Sequence, residues 1–189
     1  MRMLLGGKGQ ADSAFFEAVV RASGQKTLSH CYQCGKCTAG CPTTFAMDYK
    51  PSQIIRLLQL GRKEEVLGSR AIWVCMACFT CSTRCPCNID VAQVMDNLRV
   101  IARREGKTGP GKSVVLFNDL FLQSVRRNGR VFEPGLALGF SLRRKAFFRD
   151  AELGKFMFAR GKLRFTPERL KGIRELARLF AKPEEKVKG

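Results

Sequence analysis

Four cysteines fall within eleven residues at Cys31, Cys34, Cys37 and Cys41, closed by Pro42. The same order returns 44 residues later at Cys75, Cys78, Cys81, Cys85 and Pro86. Each stretch reads C-x2-C-x2-C-x3-C-P, and thiolates in that rhythm are ligands for [4Fe-4S] clusters. Cysteines at i, i+3 and i+6 let a tight loop curl around a cubic cluster and reach three of its irons. The proline has a fixed φ and no N–H, so it redirects the chain and turns the fourth thiolate away from its own loop. Crossed assignment then completes two sets of four: Cys31, Cys34 and Cys37 with Cys85, and Cys75, Cys78 and Cys81 with Cys41.

Structural zinc typically takes two separated C-x2-C pairs, which two triplets with Cys-Pro followers fit poorly. Disulfides need an oxidising compartment. The start of the chain holds only Met3-Leu4-Leu5 as an apolar run, so no signal peptide is expected. The longest uncharged stretch, residues 71–83, is interrupted by three cysteines and falls short of the ~18–20 residues of a membrane span. A soluble, cytoplasmic protein with no membrane span is expected. His30 is the only histidine, and no Ser/His/Asp or paired-carboxylate constellation is present. One-electron transfer is the chemistry left.

The elements that must hold these loops read as helices. "DSAFFEAVVRASG" predicts a helix capped by Asp12 or Ser13 and stopped at Gly24, leading into the first motif. "KPSQIIRLLQLGRKEEVLG" follows that motif, with Pro51 in the first turn, an Ile54-Ile55-Leu57-Leu58 face and Gly61 at its end. "NIDVAQVMDNLRVIARREG" follows the second, with Asp90 as N-cap, Val91, Val94, Met95, Leu98 and Ile101 on one face, and Gly106 after its end. Cysteine loop plus amphipathic helix is thus an internal repeat. With little strand signal anywhere, the expected fold is mainly α.

Beyond Gly106 the composition shifts to phenylalanine among basic residues, with 10 of the 14 Phe. Helices are expected at 113–127, at 150–160 and over "TPERLKGIRELARLF", capped by Thr166 with Pro167 in its first turn; "FEPGLALG" reads as a turn or loop. The net charge is +18, of which residues 107–189 carry +12 and residues 1–106 carry +6. Each oxidised four-thiolate cluster adds about −2, so the loaded chain stays basic and favours acidic partners.

"GKTGPGKS", residues 106–113, matches the P-loop pattern, but that mechanism needs a strand entering the loop, and "DNLRVIARRE" has helical periodicity. It reads as a linker whose first glycine caps a helix. Cys87 lies outside the two sets of four; it is a spare ligand, a redox-active thiol or a small buried side chain, the last being favoured. Gly35, Gly40 and Lys36 stand where they could tune the first site, or serve only as loop flexibility and solvated charge. His30 is a hydrogen-bond donor near a cluster or a surface residue.

"LSHCYQCGKCTAGCP", "PSQIIRLLQLG" and "WVCMACFTCSTRCPCNIDV" together resemble the iron-sulfur C subunit of heterodisulfide reductase and its bacterial homologues. The wider group is the α-helical ferredoxins, as in the iron-sulfur subunits of succinate dehydrogenase and fumarate reductase. The resemblance spans about Phe15 to Gly106 and implies an α-helical two-cluster domain at 1–106; residues 107–189 resemble the subunit only loosely, and their phenylalanines among basic residues read as a partner-docking extension rather than an RNA- or membrane-binding surface or a small helical core of their own. It implies two [4Fe-4S] clusters wiring a flavin-containing A-type subunit to a cysteine-rich, disulfide-reducing B-type subunit. The eight motif cysteines map onto the family's ligands and Cys87 does not. The chain itself would be a non-catalytic electron carrier, and no nucleic acid is expected. A free-standing ferredoxin and an iron-sulfur nucleic-acid-binding protein remain the other readings.

Overall fold

The computed structural model describes residues 12–144 together with Arg160, Leu170, Gly172, Ile173, Glu175, Leu176 and residues 178–180. The described residues are helical, with no strand among them. The chain divides into two compact units, Met1–Gly111 and Lys112–Gly189.

In the first unit, α1 (Ser13–Ser23) starts where Asp12 Oδ1 accepts the Phe15 N–H at 2.9 Å, and it stops at Gly24, which is left-handed at φ 65°. A 3₁₀ turn over Lys26–His30 delivers the chain to Cys31. One turn of helix, α2 (Lys36–Ala39), sits inside the first motif, and α3 (Pro51–Gln59) follows it. Two short helices, α4 (Lys63–Leu67) and α5 (Ala71–Val74), lead to Cys75. The second motif contains α6 (Thr80–Thr83) and is followed by α7 (Val91–Arg104), capped by Asp90 Oδ1 on the Gln93 N–H at 3.0 Å.

The expected apolar faces form the core. Ile54, Ile55, Leu57 and Leu58 of α3 and Val91, Val94, Met95 and Leu98 of α7 are buried, joined by Phe15 and Val19 of α1 and by Trp73 of α5. Each such side chain contributes about 1.5–3 kcal/mol. Ile101 is only half-buried. The helices that follow the two motifs end the same way: Gly61 and Gly106 are left-handed, and the next residue's N–H returns to a carbonyl of the last turn, Arg62 to Leu57 and Lys107 to Ala102. Gly106 therefore caps α7 as expected, and a helix rather than a strand enters the P-loop-like stretch. The residues after it lie on this unit, Lys107 pairing with Glu64 and Glu105.

In the second unit α8 (Lys112–Asn128) pairs with α9 (Glu133–Arg144). Phe117 meets Phe140 edge-on at 5.7 Å and Phe121 at 6.3 Å. "FEPGLALG" is not a loop, because α9 begins at Glu133. Pro134 occupies the first turn, where its missing N–H costs nothing, and Gly135 leaves room for the Phe132 ring. Neither helix has a fully buried residue; Phe117, Leu122, Leu138 and Leu142 are exposed. The helix expected at 150–160 lies outside the described residues apart from Arg160; that expected over 166–180 is described only at isolated positions, which are helical from Ile173 onward.

Candidate metal centres

The two motifs adopt one backbone. In the first, Gln33 and Gly35 are left-handed at φ 62° and 78°; in the second, Ala77 and Phe79, 44 residues on, are left-handed at 49° and 60°. Three of these four are not glycine, and strain of this kind is tolerated where surrounding structure enforces it, typically at functional sites. Each loop then enters its single helical turn, and α2 packs against α6. Arg84, before Cys85, lies across Gly40, before Cys41.

A pair of equivalent bonds clamps each loop to the helix that follows. The residue after the third cysteine carries a hydroxyl, and that hydroxyl accepts the N–H of the helix's second residue. Thr38 takes Ser52 and Ser82 takes Ala92, both at 3.1 Å. At the other end, the helix's ninth residue donates to the carbonyl of the loop's first cysteine: Gln59 Nε2 to Cys31 at 3.1 Å and Arg99 Nη1 to Cys75 at 2.8 Å. Asp48 joins the two repeats, its carboxylate accepting the Arg70 and Ala71 N–H groups at the start of α5.

These constraints surround two cavities. The first is lined by Cys31, Cys34, Cys37 and Cys85, with Cys87, Tyr32, Lys36 and Ile55. The second is lined by Cys41, Cys75, Cys78 and Cys81, with Met47, Met76, Met95 and Pro51. They are similar in size, and Val91 borders both. Each fourth cysteine therefore stands at the other motif's cavity. None of the nine cysteines is in a disulfide.

The donor set fits a polynuclear group. Among the described residues, no three His, Cys, Asp or Glu side chains converge closely enough to hold one metal ion. The thiols stand around a space instead, as a cubane with irons at separate corners requires. The first turns of α3 and α7 contribute Ser52 to the first cavity, Pro51 to the second and Val91 to both.

Burial pushes the Cys37 thiol up to about 11, with the Cys31 and Cys81 sulfurs adding to the rise and Thr38 opposing it. Burial likewise raises Cys75, against the Ala77 N–H and the Arg99 charge, and raises Cys81. Cys78 is exposed and is lowered by the Thr80 hydroxyl and N–H. The outer wall is open in both loops, where Cys34 and Cys78 are exposed.

Cys87 is half-buried on the first cavity rather than enclosed in the core, because Pro86 turns the chain back over the loop; its thiol donates to the His30 carbonyl at 3.3 Å. His30 itself is exposed, as is Lys36. Gly35 supplies a left-handed N-cap for α2, and Gly40 makes room for Arg84. Thr38, Ser82, Gln59, Arg99 and Asp48 went unread as site residues. The register shared by "PSQIIRLLQ" and "VAQVMDNLR" was the signal that could have found the first four.

Residues 27–89 match the family model of the 4Fe-4S dicluster domain. The chain is 35% identical over 108 residues to the C subunit of the H(2):CoB-CoM heterodisulfide,ferredoxin reductase of Methanothermobacter thermautotrophicus, covering 57% of this chain and 58% of that protein. It is 35% identical over 94 residues to the iron-sulfur C subunit of the CoB--CoM heterodisulfide reductase of Methanopyrus kandleri, covering 50% and 49%. It is 42% identical over 79 residues to the C subunit of the Ferredoxin:CoB-CoM heterodisulfide reductase of Methanosarcina acetivorans, covering 42% and 32%. The chain thus matches little more than half the length of these curated relatives, or less.

Proposed function

We propose that this chain, in which residues 27–89 are a 4Fe-4S dicluster domain with two [4Fe-4S] clusters as its cofactors, is the electron-relay subunit of a heterodisulfide reductase-like complex. Two cavities, each lined by three cysteines of one motif and the fourth of the other and sharing the wall residue Val91, carry this reading. Cys31, Cys34, Cys37 and Cys85 hold one cluster; Cys75, Cys78, Cys81 and Cys41 hold the other. When bound, these groups accept and release single electrons. The protein supplies the rest: it holds eight sulfurs in place, half-buries the inner six, and opens each loop to solvent at Cys34 and Cys78.

The relatives' names place them in reductase complexes, and two adjacent cluster sites offer an electron path, with no flavin or substrate site recognisable among the described residues. Electrons therefore arrive from a flavin-containing A-type subunit and leave to a cysteine-rich B-type subunit, in the cytoplasm, and the chain alone turns over no substrate. No described helix is long and apolar enough to cross a membrane. Exposed Phe117, Phe121, Leu138 and Leu142, on helices with no fully buried residue, support residues 107–189 as the docking extension. Anaerobic purification of the native complex tests the proposal. A- and B-type subunits, about eight iron per chain and two low-temperature EPR signals are expected. A protein containing only zinc, or two clusters on a chain with no partners, would overturn it. Retention of full electron transfer after deletion of residues 112–189 would remove the docking role.

A further inference from the structure

The two repeats differ in charge at the pair of positions that bonds to the first cysteine of each loop. Gln59 and Arg99 are the ninth residues of α3 and α7 and make the same bond to the first cysteine carbonyl of their loops, at 3.1 and 2.8 Å. Behind each stands the sixth residue of its helix: Arg56 Nη1 donates to Gln59 Oε1 at 3.3 Å, and Asp96 Oδ1 accepts from Arg99 Nη2 at 2.9 Å. In the first repeat a neutral amide touches the cysteine and the cation stands one residue further out. In the second, the cation touches the cysteine and the carboxylate stands behind.

The surroundings decide how strongly these charges act. The Arg99 side chain is 22% exposed and its carboxylate partner 66% exposed, so water screens the negative end of the pair more than the positive end. The cavity beside it is walled by Met47, Met76, Ala92 and Met95, where polar screening is weak. Lys36 lines the first cavity and Arg56 backs Gln59, but both are exposed and free to turn their charge to solvent. Of the described basic side chains that line a cavity or bond to a motif cysteine, Arg99 is the one both in contact with a cysteine and held away from water.

We propose that Arg99 is the residue that sets the second cluster's reduction potential apart from the first's, holding it higher than the amide found at the equivalent position would. Reduction adds negative charge beside Cys75, and a cation fixed against that residue's carbonyl favours the added electron. Arg99 is a positioning and tuning residue, and it takes no electron itself. The inference rests on the ligand sets proposed above.

The repeat supplies its own control, because glutamine at this position keeps the bond to the cysteine carbonyl and removes only the charge. In EPR-monitored redox titrations of the cluster-loaded full-length chain within its complex, Arg99→Gln should lower the second midpoint and leave the first unchanged. Arg99→Lys should stay near the parent. Asp96→Asn should raise the second midpoint, and Gln59→Arg should raise the first alone. An Arg99→Gln protein with both clusters present and the second midpoint unmoved, or with both midpoints moved equally, would overturn the proposal. The underlying ligand reading fails separately, if Cys34→Ser and Cys75→Ser perturb one and the same signal.

Discussion

Gly111 lies against the indole of Trp73, and a Cβ at position 111 would overlap Cδ2, Cε2 and Cγ of that ring. Trp73 is 7% exposed and stands two residues before Cys75, so a fused ring that cannot bend is held in the core close in sequence to the second motif. Gly111→Ala is expected to destabilise the cluster-loaded chain by about 1–3 kcal/mol, the usual cost of overpacking. Gly109→Ala, which would meet nothing within 4 Å, should stay within about 0.5 kcal/mol. Anaerobic denaturant unfolding of the two variants side by side checks this; equal effects would show that the Trp73 contact carries no weight.

The Ser82 hydroxyl accepts the Ala92 N–H and donates to Asp90 Oδ1 at 2.6 Å, tying the second loop to both the cap and the second residue of α7. Ser82→Ala should cost about 1–2 kcal/mol. Its more telling effect is selective: under an iron chelator the second cluster should bleach faster than in the parent while the first keeps its rate. Thr38→Val should do the reverse, through the Ser52 N–H.

Crossed ligation makes a prediction about distance in sequence. Cys85→Ser should alter the EPR signal of the cluster held by Cys31, Cys34 and Cys37, although Cys85 belongs to the other motif. Cys87→Ser should leave both signals in place, because its thiol is directed to the His30 carbonyl. Loss of a cluster in Cys87→Ser, with none in Cys85→Ser, would reassign the fourth ligand.

Cluster assembly should be proton-coupled, with a definite sign. Burial pushes Cys37 up to about 11 and raises Cys75 and Cys81, so in the metal-free chain these sulfurs are protonated near neutrality and must lose protons to bind iron. Reconstitution with iron and sulfide should therefore quicken as pH rises from about 7 to about 9. The metal-free fold behaves oppositely. Its raised thiols favour the folded state below the ordinary value of 9.0, and that contribution is lost as pH climbs toward about 11. Reconstitution rates and unfolding midpoints across one pH series test both signs.

The cysteine rhythm, the caps at Asp12 and Asp90 and the Schellman glycines Gly61 and Gly106 are legible because each depends on a residue type that does little else at that spacing. The left-handed backbone at Gln33, Ala77 and Phe79 is not, since ordinary side chains carry no mark of positive φ when tertiary contacts impose it. The clamps at Thr38 and Ser82 are hidden for another reason. The loops repeat at an interval of 44 residues and their helices at 40, so no single offset aligns both. Pro134 and Gly135 misled in the opposite direction, because residues typical of turns are also at home in a helix's first turn beside a bulky ring.

With Cys85 closing the first cavity and Cys41 the second, metal uptake doubles as a fastening between distant parts of the chain. On the ligand sets proposed above, each loaded cubane would be a cross-link that ties one repeat to the other and removes conformations from the unfolded ensemble, as a disulfide across a loop of that span does, on the order of 3–5 kcal/mol each. The two fastenings are interlocked. Removing iron from one releases a sulfur carried on the backbone of the other's loop, so the first loss loosens the second. Such a chain should lose its metal cooperatively, emptying in one sweep rather than lingering half-loaded, and the same fastening should make it resist being pulled open from its ends until an iron-sulfur bond gives way.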